Sequence, residues 1–310
     1  MMLYDVPAPA KLNLFLHVVG RREDGYHLLQ TAFRFIDLCD TLHFELRHDG
    51  RIERLTDLPG VPAEQDLVVR AARSLQRATG TSLGANISLE KRIPQGGGLG
   101  GGSSDAASTL IALNRLWNTG LSRQDLMALA LPLGADVPVF VFGQSAFAEG
   151  VGEKLTALGL PAASYLVAQP DSSVPTANIF SDPDLTRDSS LVTIADFLAS
   201  QSFGAGYTEQ SAPRFFGRND LEPVVYRRYP EVSQAAQWLT ARGCHVRMSG
   251  SGACLFAQFA TTEQAVLKEQ EIHATMRVAS EFASETQKGF RLIRVCPGLV
   301  EHPLRNWIAR

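Results

Sequence analysis

Residues 96–102 read Gly-Gly-Gly-Leu-Gly-Gly-Gly and run directly into Ser103, Ser104 and Asp105. Glycine adopts dihedrals closed to other residues and lets a ligand come close to the main chain. Successive backbone N–H groups that end at a helix N-terminus form an anion site, and the helix dipole favours negative charge there. Ser103 and Ser104 add hydroxyls able to bond phosphate oxygens or a magnesium ion. The chemistry expected is phosphate binding by a nucleotide-using enzyme. A flexible linker is the bland alternative, but linkers do not sit between a strand and a strongly apolar-faced helix.

The type of phosphate site follows partly by exclusion. A Walker A loop needs G-x-x-x-x-G-K-[ST], and no Lys follows these glycines. The protein-kinase signatures H-R-D and D-F-G are absent. Gly96, Gly98 and Gly101 satisfy G-x-G-x-x-G, so a dinucleotide-binding enzyme is a formal competitor. That fingerprint also wants an acidic residue about 20 positions further on, at a strand end. The window here holds Leu121-Ser122-Arg123 between two helices.

Several elements must position this loop. Residues 10–19 alternate as a half-buried strand, with Leu12, Leu14, Leu16 and Val18 on one face and Lys11, Asn13 and His17 on the other. A second apolar segment spans 28–38, and further strands are expected over 40–46, 85–89, 165–169 and 253–259. Helices are expected over 65–78, 104–117 and 232–242. Ser103 or Ser104 would cap the second of these, and Gly120 lies beyond its end. Ser122 with Asp125 resembles the capping box of another helix. Strands and helices mix without regular βαβ alternation, which predicts an α+β fold. The texture changes near residue 155, so two domains are expected, 1–155 and 156–310.

The 310 residues include 29 Lys and Arg against 32 Asp and Glu, a net charge of −3. No basic field advertises nucleic-acid binding. No run of about 18 apolar residues predicts a membrane span. Met1–Pro9 lacks a basic stretch followed by an apolar one, so a cytoplasmic protein is expected. Cys39, Cys244, Cys254 and Cys296 form no C-x-x-C pair and read as incidental thiols.

Pro94–Ala107, with its doubled glycine triplet and Ser-Ser-Asp-Ala-Ala, resembles the phosphate loop of the GHMP small-molecule kinases. Four further segments match the same family in order: Ala8–Leu14, Asp24-Gly25-Tyr26-His27, Leu133–Pro138 and Met248–Ala253. The resemblance implies a two-domain GHMP kinase fold with its active site in the interdomain cleft. It implies ATP with Mg²⁺, the phosphates lying over Pro94, Gly96, Gly97, Gly98, Leu99, Gly100, Gly101, Gly102, Ser103 and Ser104. Asp136 corresponds to the family's catalytic aspartate and Lys11 to the lysine paired with it. Tyr26 and His27 correspond to residues that hold a cytidine group, and Phe180 aligns with a second aromatic on the cytosine. Asn13 and Thr176 join them in binding substrate. The substrate implied is a cytidine-diphosphate-linked methylerythritol, phosphorylated on its 2-hydroxyl on the non-mevalonate route to isoprenoid precursors. A homoserine or mevalonate type of GHMP kinase is the alternative, and would lack the Tyr-His pair. The Ser249–Gly252 turn is expected to close around the phosphates opposite the first loop. Asn219 is read either as family motif or as helix cap, and Lys91 as a phosphate contact or a strand-end charge. No motif marks the magnesium ligands, the adenine contacts or the oligomeric state.

Overall fold

Two unusually long strands organise the first half of the chain. In the computed structural model, which describes residues 1–201, 215–282 and 289–308, β1 (Met2–Arg21) and β2 (His27–Arg47) pair antiparallel. Four register shifts interrupt that ladder, one of them between Pro9 and Ala10. Each shift adds twist and lets a long strand curl instead of running flat. The sequence suggested a shorter first strand and a broken second one. Pro7 and Pro9 donate no backbone hydrogen bond, a feature that argues against a strand unless bulges absorb it. The expected polar alternation is also misleading, since every residue from Ala8 to Val18 is buried.

Around this pair lie β3 (Ile52–Arg54), β4 (Gly84–Glu90), β5 (Ala146–Glu149) and β6 (Lys154–Ala157), in the order β3-β4-β2-β5-β6 with β1 also paired to β2. Only the β3–β4 pairing is parallel within this sheet. Its core is completed by α1 (Leu67–Thr79), α2 (Gly101–Leu116), α3 (Arg123–Ala130) and α4 (Val137–Phe142). Asp66 caps α1 through the Val68 N–H, and Ser122 with Asp125 forms a complete capping box on α3. The helix after the glycines begins three residues earlier than expected. Gly100 is its N-cap in the left-handed region, with no side-chain cap, so neither Ser103 nor Ser104 serves there. Ser104 to Asn114 are all buried, because α2 runs through the core and not along its surface.

The second sheet is antiparallel: β10 (Phe290–Pro297), β7 (Ser164–Pro170), β9 (Leu255–Phe259) and β8 (Val246–Met248). With it go α5 (Thr176–Phe180), α6 (Ile194–Ser200), α7 (Glu222–Arg228), α8 (Pro230–Thr240) and α9 (Thr262–Phe282). The chain crosses from the first sheet to the second between Ala157 and Ser164. A clean split at 155 nevertheless misses the C-terminal tail, which returns to the first half. Leu304 and Ile308 are buried in the first core, His302 N–H donates to Gly143 O (2.9 Å) and Arg123 holds Arg305 O (2.7 Å). A third apolar cluster, including Phe15, Phe147, Phe197 and Phe256, ties the two sheets together. All four cysteines are free, and no described helix is long and apolar enough to cross a membrane.

Candidate active site

A cavity of about 860 Å³ opens between elements of both halves, and its size suits a nucleotide and a small substrate together. One wall is the glycine loop. Its carbonyls are tied back into the protein: Gly96 O accepts from Ala253 N–H (3.1 Å), Gly97 O from Cys254 N–H (3.1 Å) and Leu99 O from Lys11 N–H (3.0 Å). Gly98 O accepts from Lys11 Nζ (3.1 Å) and from Ser249 Oγ (2.9 Å). Among the described residues, the N–H groups of Gly98, Leu99 and Gly100 have no hydrogen-bond partner. They adjoin the first N–H groups of α2, which a helix leaves unsatisfied. Carbonyls turned inward and amides left free make a concave donor surface suited to an anion.

The Ser249–Gly252 turn was expected to face the first loop across the phosphates. The turn is bonded directly to that loop through the contacts just named, and Gly250 and Ser251 also reach the cavity. Asn219 holds the turn in place, its Nδ2 donating to Met248 O (2.9 Å) and Gly250 O (2.8 Å). It is thus a strut between loops, and its Oδ1 also accepts the Leu221 N–H (3.0 Å) at the entry to α7, although none of the helix's own N–H groups has a side-chain cap.

Lys11 and Asp136 stand at the inner end of the loop, Nζ lying 3.3 Å from Oδ2. The Lys11 ammonium also donates to Asn13 Oδ1 (2.5 Å) and Gly98 O (3.1 Å), and sits 5.4 Å from the centre of the Phe33 ring. Asn13 is itself held by Thr31 Oγ1 (3.0 Å), whose hydroxyl is anchored on Phe15 O. Lys11 is 3% exposed at its side chain and Asp136 37%, so a rigid cation presents an open carboxylate to the cavity. Asp136 occupies the N-cap position of α4 but bonds none of its N–H groups, which leaves the carboxylate free for other work.

Pro94, Gly96 to Gly102 and Ser103 all line the cavity. Ser104 does not. Its hydroxyl is fully buried and donates to Pro9 O (2.7 Å), so the side chain pins α2 to β1 and has nothing to offer a phosphate or a metal. Lys91 reaches the cavity wall, but its ammonium is bonded by the carboxylates of Asp40 and Asp105. Asp40 also accepts the N–H groups of Arg92 (2.5 Å) and Ile93 (2.8 Å), which sets the path of the chain into the loop. The sequence held no local sign of this triad, whose members come from three separate elements.

Burial opposes a charge on Lys91, but the two carboxylates outweigh it and the ammonium stays protonated. Burial pushes the Asp105 carboxyl up to about 7, with Lys91 opposing and Asp40 adding to the rise. The unfolded chain releases that proton near its ordinary value of about 4, so between about pH 4 and 7 the folded state holds more protons. Stability from this group therefore falls as pH rises through that window. Asp105→Asn should flatten the corresponding slope in urea midpoints measured from pH 4.5 to 8; an unaltered slope would exclude Asp105 as its source.

Tyr26, His27, Thr176 and Phe180 also line the cavity. Tyr26 is 63% exposed. His27 and Phe180 pack at 5.1 Å between ring centres and 37° between planes. Thr176 Oγ1 and Ser251 Oγ lie 2.7 Å apart, joining α5 to the second glycine turn. The imidazole of His27 is held below 6.5 by burial, then by the nearby Arg187 and Arg21 cations, so it is neutral at pH 7. Arg187, which sequence reasoning passed over inside a polar stretch, donates its Nε–H to His27 Nε2 (3.1 Å). The described residues bring no group of three or more His, Cys, Asp or Glu side chains together as a metal cage.

Comparison with known proteins identifies relatives over the whole chain. Residues 66–144 match the GHMP kinases N terminal domain and residues 208–278 the GHMP kinases C terminal domain. The chain is 73% identical over 309 residues to a 4-diphosphocytidyl-2-C-methyl-D-erythritol kinase of Bordetella bronchiseptica, covering 100% of each chain. A crystal structure of a 4-(cytidine 5'-diphospho)-2C-methyl-D-erythritol kinase superimposes with a TM-score of 0.73 at 33% identity, covering 96% of this chain and 98% of that one. Homoserine kinase from Cytophaga hutchinsonii shares the fold, with a TM-score of 0.67 at 16% identity over 97% and 95% of the two chains. With relatives this similar from end to end, the chain belongs to the GHMP kinases, in the family of 4-diphosphocytidyl-2-C-methyl-D-erythritol kinases.

Proposed function

We propose that this protein transfers the γ-phosphoryl group of ATP to the 2-hydroxyl of 4-diphosphocytidyl-2-C-methyl-D-erythritol, in the non-mevalonate route to isoprenoid precursors. The observation that carries the reading is that the Lys11–Asp136 pair and the Tyr26, His27 and Phe180 side chains line one and the same cavity. Those three side chains offer aromatic faces and an imidazole edge for a pyrimidine, and the pair offers a base for a hydroxyl. The protein acts in the cytoplasm on small molecules.

In this mechanism Asp136 accepts the proton of the 2-hydroxyl as the oxygen attacks phosphorus. The Lys11 ammonium, 3.3 Å from that carboxylate, stabilises charge on the oxygen and the transferring group. The free amides of Gly98 to Gly100 and of the α2 terminus hold the phosphates in line. Phosphoryl transfer asks little covalent work of a protein, so positioning and charge stabilisation carry most of the rate. Magnesium favours sites where substrate phosphates and one or two side-chain oxygens share it with water. The Ser103 hydroxyl, at the cavity wall, is the side chain suited to that share; the ion would neutralise charge on the phosphates.

The direct test is an ATP-coupled assay with 4-diphosphocytidyl-2-C-methyl-D-erythritol, homoserine and mevalonate in parallel. Turnover of the cytidine substrate alone is expected, and turnover of mevalonate or homoserine alone would overturn the substrate claim. Phe180→Ala should weaken binding of the cytidine substrate by about 1–3 kcal/mol of lost stacking, with ATP affinity unchanged. Equal substrate affinity in the folded variant would return Phe180 to a packing role.

A further inference from the structure

We propose that Arg187 determines the nucleobase specificity of the cavity by locking His27 in one tautomer, with its proton on Nδ1. An arginine guanidinium carries five N–H groups and accepts nothing. Here all five have partners. Nε donates to His27 Nε2 (3.1 Å), Nη1 to Pro183 O (3.3 Å) and Leu185 O (3.0 Å), and Nη2 to Phe180 O (3.2 Å) and Asp182 O (2.6 Å). Four backbone carbonyls of one turn therefore fix the plane of the guanidinium, and with it the direction of the Nε–H bond. A nitrogen that receives that bond must present its lone pair. In a neutral imidazole the other nitrogen then carries the hydrogen, and the imidazole is neutral at pH 7 because burial and the adjacent cations disfavour its charged form.

The consequence reaches the substrate. His27 lines the cavity, and among the described residues its Nδ1 bonds nothing. A fixed Nδ1–H offers the ligand a donor and refuses it an acceptor. Cytosine carries unprotonated N3 and O2 acceptors along its pairing edge, whereas uracil carries N3–H, a donor, between two carbonyls. A committed donor at N3 bonds cytosine and opposes uracil, a contrast that a freely switching imidazole would lose. Arg187 also grips the carbonyl of Phe180, whose ring packs on His27, so one side chain sets both the edge and the face against which the base lies. Arg187 acts through His27 and is a positioning residue. The inference rests on the proposed cytidine substrate for its consequence, but not for the tautomer itself.

The experiment reads the two parts separately. Imidazole ¹⁵N chemical shifts of His27 in the ligand-free protein at pH 7.5 report which nitrogen is protonated. The Nδ1–H form is expected; an Nε2–H form or an imidazolium would overturn the proposal. In Arg187→Met the His27 signals should move towards the mixture of tautomers of a free imidazole. The preference in kcat/KM for the cytidine over the uridine form of the substrate should fall about tenfold to hundredfold, the usual cost of one opposed buried hydrogen bond, through KM and with the KM for ATP unchanged. An unaltered preference in that variant, or a wild-type enzyme that uses the uridine form equally well, would overturn the specificity role. Failure of the substrate reading would look different, as no turnover with either nucleotide.

Discussion

Asp136→Asn should lower kcat by about 10²–10⁴-fold, the usual worth of a positioned general base, while leaving the affinities for ATP and substrate within a few-fold of wild type. The asymmetry follows from the geometry. Asn is nearly isosteric with Asp, and Lys11 keeps its bonds to Asn13 and Gly98 when the carboxylate is replaced. The Asp136 side chain holds no helix N–H, and among the described residues that ammonium is its one structural partner, so stability should hardly move. Single-turnover rates with both ligands saturating are the measurement of choice, because they exclude product release. Near-normal turnover would remove Asp136 from the base role and leave the loop as the main source of rate. Lys11 is a poorer first target, since removing it would strand Asn13 and the Gly98 carbonyl as well.

The legibility of this site in the sequence was uneven, for physical reasons. The glycine run shows itself because a phosphate cradle needs local backbone freedom, and local needs leave contiguous signatures. Lys11 and Asp136 are far apart in the chain, and only the ordered match to the GHMP kinases linked them before the structure placed them 3.3 Å apart. Features built wholly from distant partners had no local trace. The Lys91–Asp40–Asp105 triad draws on β2, on α2 and on the segment before the loop. The Arg187 clamp reads locally as an ordinary polar turn. Ser104 shows the converse: its position beside the glycines suggested a ligand, but the early start of α2 rotates its hydroxyl onto Pro9. The fold suffered in the same way. Period-two patterning works for strands with one wet face, and β1 has none from Ala8 to Val18. The return of the tail to the first core depends on Leu304 and Ile308 finding a distant hydrophobic surface, which no window of sequence records.

Gly98→Ala should damage the protein more than any other single methyl group placed in the loop, and a matched control isolates the reason. Gly98 has φ +71°, where an added Cβ costs about 1–2 kcal/mol by itself. That Cβ would also lie 2.0 Å from Ser249 O and 3.1 Å from Gly252 N, both backbone atoms of the second glycine turn. No rotamer can relieve such an overlap. The two turns must separate, and separation breaks the bonds from Lys11 and Ser249 to the Gly98 carbonyl. Gly60 offers the comparison, with φ +77° and nothing within 4 Å of a built Cβ. Gly60→Ala should therefore show the dihedral cost alone. Gly98→Ala should lose about 3–5 kcal/mol, the range of overpacked and bond-breaking core substitutions, and its ATP affinity should fall further than stability alone explains. Urea midpoints for both variants, with ATP titrations on the folded fraction, make the comparison. If the two losses are equal, the glycine turns are not the rigid unit that their hydrogen bonds describe, and the phosphate cradle must draw its shape from α2 alone.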